Sequence, residues 1–330
     1  MKLVIQIPCW NEQDTLADTI RSLPRRIPGV NTIEVVVVDD GSTDDTAAVA
    51  ERAGADGVVR LGRHMGLAAA FNAGVKEALD RDADIMVNTD ADLQYPSEHI
   101  ARLIGPIISG RADISIGDRL GHDPRPFGPV KMLLERLGSA GARFFSGTGV
   151  RDAASGFRAF SRPVLEEMVL HGAFSHTLET LIFAGMRKFR LANVEIPINA
   201  PQRESRLFQS VPGYISRSAL TILRGYLMYH PLRFFLGVGL LFFSAALVLG
   251  GRYLYFFSQG EGRGHVQSLI LMAVLALTGI QSIILGMIGD VVAANRKLLE
   301  DLRLRMTRRV MASPHGEKAN ARETTILHHD

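Results

Sequence analysis

Two aspartates, Asp90 and Asp92, stand two residues apart in the stretch Asn88-Thr89-Asp90-Ala91-Asp92-Leu93-Gln94. The apolar run Ile85-Met86-Val87 leads into them and reads as a buried strand. Two negative charges at one strand end repel each other unless a cation lies between them. Mg²⁺ or Mn²⁺ takes oxygen ligands and keeps waters or substrate phosphates in its shell. Held by one or two carboxylates, such an ion can bridge to a diphosphate and neutralise its leaving charge. A polar turn at a strand end is the plainer reading of Asp-x-Asp taken alone.

Two more polar clusters have the same setting. Pro8-Cys9-Trp10-Asn11-Glu12 follows the apolar run Leu3 to Ile7, and Asp39-Asp40-Gly41-Ser42-Thr43-Asp44 follows Ile33 to Val38. Such β-branched runs suit parallel strands covered on both faces. Helical patterns at 13–23, 43–53 and 67–80, with a short strand at 58–61, alternate with them. The alternation predicts a doubly wound α/β domain. Ligands of such sheets bind beyond the carboxyl ends of the strands, so the three clusters are expected to share one site. Asp39-Asp40-Gly41-Ser42 has a second, compatible reading as an acidic turn capping the next helix through Ser42, Thr43 or Asp44.

No Gly-x-Gly-x-x-Gly follows the first strand, and no Gly-Lys-Ser/Thr loop is present. This argues against a dinucleotide dehydrogenase or a P-loop nucleotidase. A nucleotide would instead meet carboxylates such as Glu12 and Asp40 at its ribose or base, with a metal on its phosphates. The net charge of +3 on 330 residues gives no basis for nucleic-acid binding. The single cysteine, Cys9, allows no internal disulfide and suits a reducing compartment. The N-terminus runs straight into a strand pattern, without the features of a signal peptide.

Farther along, residues 113–117 form another strand pattern, followed by a loop at 120–129. Residues 131–145 then separate on a helical wheel, with Leu133, Leu134, Leu137, Ala140 and Phe144 on one face and Lys131, Glu135, Arg136 and Arg143 on the other. This is either an ordinary surface helix or one lying in a membrane interface.

Hydrophobic residues make up 47% of the chain, and two stretches carry no charge at all: 234–251 and 266–289. About 20 apolar residues cross a bilayer as a helix. The short connection between them predicts a hairpin with both ends on one side. Arg217, Arg224 and Arg233 precede it, and Arg296, Lys297, Arg303, Arg305, Arg308 and Arg309 follow it. That excess marks the side as cytoplasmic. The expected organisation is a cytoplasmic catalytic domain at 1–210 and a juxtamembrane interface helix at 211–232. A transmembrane hairpin follows at 233–292, with spans at about 234–257 and 266–289, and then a basic, partly disordered tail at 293–330.

Six motifs now stand in one order: Pro8-x-x-Asn11-Glu12; Asp39-Asp40-Gly41-Ser42-x-Asp44; Gly66 with Ala69-x-Phe71-Asn72-x-Gly74; Asp90-Ala91-Asp92-Leu93-Gln94; Gly117-Asp118-Arg119; and Asp152-x-x-Ser155-Gly156-Phe157-Arg158. From about Leu3 to Arg206 the chain resembles the membrane-bound polyprenyl-phosphate glycosyltransferases, relatives of dolichyl-phosphate mannose synthase with a Rossmann-like GT-A fold. The two-span arrangement is similar to bacterial members that act on undecaprenyl phosphate. The resemblance implies that Pro8, Trp10, Asn11, Glu12, Asp39, Asp40, Gly66, Asp90 and Ala91 line the nucleotide sugar. Asp90, Asp92 and Gln94 would surround Mg²⁺ or Mn²⁺. Arg119, Lys131, Ser155 and Arg158 would face the acceptor phosphate, and Arg206 the donor diphosphate. Asp152, Asp92 and Arg119 would be catalytic, although Asp152 also has a plain reading as a cap or as a partner of Arg158. Two departures from the family pattern are visible. Gln202 to Arg206 is shorter than the usual Arg-x-x-Gly-x-Ser-Lys, with Arg in place of Lys, and Glu135 replaces a small polar residue.

The implied reaction moves one sugar, with inversion, from a nucleotide-diphosphate sugar to a polyprenyl phosphate at the cytoplasmic face of the inner membrane. A UDP-sugar is favoured, with GDP-mannose as the other candidate. A homo-oligomer stays open, and so does the role of His64, a loop residue or a ligand contact. A processive polysaccharide synthase would carry a Gln-x-x-Arg-Trp motif, whereas the one tryptophan here is Trp10. A non-catalytic nucleotide-binding scaffold would have no use for both Asp90 and Asp92 beside a set of cationic side chains.

Overall fold

A computed structural model describes residues 1–119, 129–168, 176–199, 230–260 and 266–312, with a few single positions between them. It divides into two compact units, Met1–Gly225 and Tyr226–Asp330.

The first unit is built on seven strands: β1 (Lys2–Cys9), β2 (Thr32–Asp39), β3 (Gly57–Arg60), β4 (Ile85–Asn88), β5 (Ile114–Asp118), β6 (Arg158–Ser161) and β7 (Leu191–Glu195). Their order in the sheet is β3-β2-β1-β4-β6-β5-β7. The half from β3 to β4 is parallel, as the apolar runs predict. The other half departs from the all-parallel pattern, because β6 runs antiparallel between β4 and β5, while β5 and β7 pair in parallel. The sheet is therefore mixed.

Helices cover both faces: α1 (Leu16–Ser22), α2 (Thr46–Arg52), α3 (Leu67–Asp80), α4 (Ile100–Ile108), α5 (Pro129–Ser146), α6 (Arg162–Glu167) and α7 (His176–Arg187). Strand residues alternate between two cores. Leu3, Ile5 and Ile7 of β1 join Leu16 and Ile20 of α1 and Leu103 of α4. Val4 joins Phe71 of α3, Leu165 of α6 and Leu181 of α7 on the opposite face. Each such buried side chain contributes about 1.5–3 kcal/mol of apolar burial. The packed side of α5 differs from the wheel. Ser139, Ala142 and Ser146 are buried, while Ala140 is exposed and Phe144 is 80% exposed. Small side chains let this helix lie close to its neighbour. Gly185 of α7 touches the Ser146 carbonyl so closely that a Cβ there would collide with it.

The second unit holds α8 (Pro231–Ser258) and α9 (Val266–Ala312). Both are long and apolar enough to cross a membrane, the stretches being Pro231–Ser258 and Val266–Arg296. Glycines let the two backbones meet. A Cβ on Gly239 would stand 3.0 Å from the Gly279 carbonyl oxygen, and one on Gly279 would stand 3.1 Å from the Gly239 carbonyl oxygen. Small residues at the crossing are the usual device where lipid replaces water and the hydrophobic effect between helices is absent. The helices outrun the charge-free stretches. The first starts at Pro231, suited to a first helical turn, and the second continues through the basic segment to Ala312. The expected interface helix at 211–232, the Gln202–Arg206 segment and the tail beyond 312 lie wholly or largely outside the described residues.

Candidate functional site

The loops after β1, β2 and β4 meet beyond the carboxyl ends of the strands. Asn11 turns the chain at φ +54°, a left-handed conformation that Asn tolerates better than most residues. Its Oδ1 accepts from the Thr43 amide at 2.8 Å, and its own amide donates to Ser42 Oγ at 2.9 Å. The Glu12 amide donates to Thr46 Oγ1 at 2.9 Å. The first two loops are thus stitched together. Asp39 Oδ1 accepts from the Ser42 amide at 3.0 Å. Asp40 accepts from the amides of Met65 and Gly66, each at 2.8 Å, and from His64 Nδ1 at 2.9 Å. It thereby caps the approach to α3, with Gly66 at φ +93°. Gly41, at φ +67°, is required here, since a Cβ would strike the backbone of Arg63. The capping reading of the acidic turn is half right. Asp44 Oδ1 accepts from the Thr46 amide at 3.0 Å, but α2 starts only at Thr46.

Trp10 stacks on His64, with ring centroids 4.2 Å apart and planes at 22°. His64 reads from sequence as a loop residue or a ligand contact; the signal for its place here is its position two residues before Gly66, where Asp40 can reach both. Buried Pro8 continues β1 into this corner.

The central loop is pinned from several sides. Thr19 Oγ1 donates to the Ala91 carbonyl at 2.9 Å, and the Gln94 amide donates to Asp92 Oδ1 at 3.0 Å. Asn199 Nδ2 donates to the Leu93 carbonyl at 2.8 Å, and its amide to the Gln94 carbonyl at 3.0 Å. Leu93 sits at φ +57°, an unusual and costly conformation for a branched side chain. Asp90 packs against Gly156, where a Cβ would lie 3.2 Å from both carboxylate oxygens. Burial and then the charge of Asp92 push the Asp90 carboxyl up to about 7, with Arg119 pulling the other way. The nearby Cys9 thiol is raised by burial and then by Glu12, Asp39, Asp90 and Asp44. The basin is therefore rich in crowded carboxylates.

This donor set suits a hard divalent ion. It is all oxygen, and the burial and repulsion that together raise Asp90 are what a bound cation would offset. Among the described residues no three His, Cys, Asp or Glu side chains form a closed cage. An ion here would draw further ligands from a diphosphate or water, as Mg²⁺ does.

Next to the basin lies a buried ion pair. Arg119 donates from Nε to Asp152 Oδ2 at 2.6 Å, from Nη2 to Oδ1 at 2.9 Å, and from its amide to Oδ2 at 3.2 Å. Arg119 is 6% exposed and Asp152 0%. The plain reading paired Asp152 with Arg158, but Arg158 is occupied elsewhere. It is wholly buried, and its guanidinium donates to the carbonyls of Ser155, Thr177 and Ala153 at 2.8, 2.7 and 2.8 Å and to Thr180 Oγ1. Burial, against the pull of Asp152, lowers it to about 10. Arg158 thus ties the loop carrying Asp152 to α7. Ser155 is buried in that loop, its amide donating to Asp152 Oδ1 at 3.2 Å. Lys131 falls in the first turn of α5, and Arg206 lies outside the described residues.

Two supports escaped the sequence reading. Tyr95, directly after Gln94, accepts from the Gly156 amide at 3.3 Å and stacks on Phe157 at 4.9 Å. Gln6 donates to Asn88 Oδ1 at 2.8 Å, and Asn88 donates to the Gly156 carbonyl at 2.8 Å. The signal for the second was a polar residue within each of two otherwise apolar strands.

The sequence matches the family model for glycosyl transferase family 2 over residues 4–169. It is 32% identical over 212 residues to a polyprenol monophosphomannose synthase of Mycolicibacterium smegmatis, covering 62% of this chain and 78% of the relative. An undecaprenyl-phosphate 4-deoxy-4-formamido-L-arabinose transferase of Sodalis glossinidius is 29% identical over 333 residues, 92% of this chain and 91% of the relative. That likeness runs through the helical hairpin. Among solved structures, glucosyl-3-phosphoglycerate synthase from Mycobacterium tuberculosis, in complex with Mn²⁺, UDP and glucosyl-3-phosphoglycerate, aligns with a TM-score of 0.55 at 25% identity. The alignment covers 68% of this chain and 79% of that one.

Proposed function

The chain belongs to glycosyl transferase family 2 and is a glycosyltransferase, and from that premise we propose that it moves a single sugar from a nucleotide-diphosphate sugar onto a polyprenyl phosphate, with inversion, at the cytoplasmic face of the inner membrane. The favoured donor is a UDP-sugar and the favoured acceptor undecaprenyl phosphate. The observation that carries this reading is the crowded pair Asp90 and Asp92 beside the buried Arg119–Asp152 pair, in a chain with two bilayer-length apolar helices. The UDP found in the structural neighbour and the undecaprenyl phosphate in the name of the Sodalis glossinidius relative support the finer choices.

Asp90 and Asp92 would hold Mg²⁺ or Mn²⁺, which when bound supplies charge neutralisation at the donor diphosphate. The protein does the rest. Asp40 fixes the 64–66 turn beside Trp10, and this corner is the one we assign to the nucleoside. Asp152 holds the Arg119 guanidinium in one orientation, and a pre-set cation is an effective partner for a phosphate. A phosphate acceptor is already an anion at neutral pH, so it needs little help from a base. Asp152, wholly buried with both oxygens on Arg119, suits positioning better than proton transfer. Arg158 holds Asp152 in place through the carbonyls it grips.

The test is a thin-layer or mass assay of purified protein with polyprenyl phosphate and a panel of labelled nucleotide sugars. One donor is expected to give a lipid-linked monosaccharide that disappears with chelator. A polymer, or no lipid product from any donor, overturns the proposal.

A further inference from the structure

Along α9, one line of residues deserves an explanation that lipid alone does not supply. From Gln267 to Leu302, steps of three and four residues alternate without a break, and every position on that line is exposed. Eight of the positions hold Ile, Leu or Val. The others are Gln267, Gln281 and Asn295, spaced fourteen residues apart, and they are the only Asn or Gln residues of the helix. The opposite face, through Gly279 and Gly286, is the one that meets α8. The repeat is therefore a second heptad seam, with a carboxamide at every other turn of the pattern.

None of the three carboxamides has a side-chain hydrogen bond among the described residues, and α8 carries no Asn or Gln. Gln281 sits at the middle of the apolar stretch Val266–Arg296. An unsatisfied amide at that depth is costly, because no water reaches it. Below the apolar stretch the seam continues with Leu298 and Leu302, 62% and 52% exposed among charged residues, where exposed leucines call for a covering partner.

We propose that this face of α9 is the contact with a second copy of the chain, a parallel helix pair in which Gln267, Gln281 and Asn295 each meet their own counterparts. Copies inserted with the same orientation place equal residues at equal depth, so the register follows from the membrane. A carboxamide both donates and accepts and is its own complement across a two-fold axis. The proposal rests on reading α8 and α9 as a membrane hairpin.

The test uses the full-length chain with Cys9→Ala and single cysteines placed between Ile280 and Val291, oxidised in isolated membranes. Crosslinked dimer is expected to peak at 284, 288 and 291 and to be low at 280 and 287. In detergent, Gln281→Leu is expected to weaken the dimer about three- to thirtyfold, the range for a hydrogen bond between membrane helices, while Gln281→Asn retains it. Crosslinking that is absent or lacks the periodicity, in membranes from which alkaline carbonate does not extract the protein, overturns the pairing. Extraction by carbonate overturns the hairpin reading and the pairing with it.

Discussion

After β2, the carboxylates of Asp39 and Asp40 accept hydrogen bonds from the amides of Ser42, Met65 and Gly66 and from His64. After β4, Asp90 and Asp92 accept, among the described residues, from one amide, that of Gln94, and burial and mutual repulsion lift the Asp90 carboxyl to about 7 even against the pull of Arg119. Both loops present two aspartates at a strand end, and composition does not tell them apart. The first pair spends its charge on the protein's own backbone. The second is left with charge that a ligand can use. An acidic motif at a strand end is a candidate cation site to the extent that the protein's own hydrogen-bond donors leave its charge unmet.

The sharpest way to break this comparison is to neutralise one member of each pair. Asp92→Asn is expected to lower kcat by about a thousandfold or more with an unchanged melting temperature, since electrostatic partners of a developing charge carry effects of that order. Asp40→Asn should instead lower the melting temperature, costing about 1–3 kcal/mol for the weakened caps, and raise the donor KM with kcat within about tenfold. Equal kcat losses from both variants would dissolve the distinction.

The Arg119–Asp152 pair is a third case, a carboxylate compensated by a side chain. Asp152→Asn is expected to lower kcat at least about a hundredfold with donor binding near normal, because it releases the guanidinium. Wild-type kcat in this variant would make the pair structural. Arg119→Ala should raise the KM for polyprenyl phosphate about ten- to a hundredfold and leave the donor KM near its original value. Equal effects on both substrates would separate Arg119 from the acceptor.

The last effect is on stability alone and belongs to His176, stacked on Phe71 at 4.8 Å with neither ring nitrogen bonded among the described residues. Burial, and then Arg158, lowers it to about 3. The unfolded chain takes up its proton near the ordinary value while the folded chain does not. Stability is therefore complete above about pH 6.5 and falls by about 1.4 kcal/mol per unit as the pH drops toward 3. His176→Phe should flatten that slope in urea melts between pH 6.5 and 4. An unchanged slope would place the acid sensitivity elsewhere.

What the sequence made legible follows from how local each signal is. The helix at 67–80 is read to the residue, and β1, β2 and β4 nearly so, because periodicity and apolar runs lie within one element. β6 is missed because it opens with Arg158, and only carbonyls up to 19 positions away and a hydroxyl 22 positions away make a buried guanidinium tolerable there. The Arg119–Asp152 pair spans 33 positions, and nothing local prefers it to the nearer Arg158. On α5, Phe144 belongs to an apolar stripe by spacing, yet the fold buries Ser139 and Ser146 instead.

Trp10 is the single tryptophan of the chain, 38% exposed and face to face with the His64 imidazole. Its emission therefore comes from one place, the corner assigned to the nucleoside, with a histidine ring against it as a built-in quencher. A base that settles there has to displace or extend that stack, and fluorescence would follow the event in unlabelled protein. On that proposed assignment, the chain would carry its own optical gauge of donor occupancy, readable before any sugar has moved.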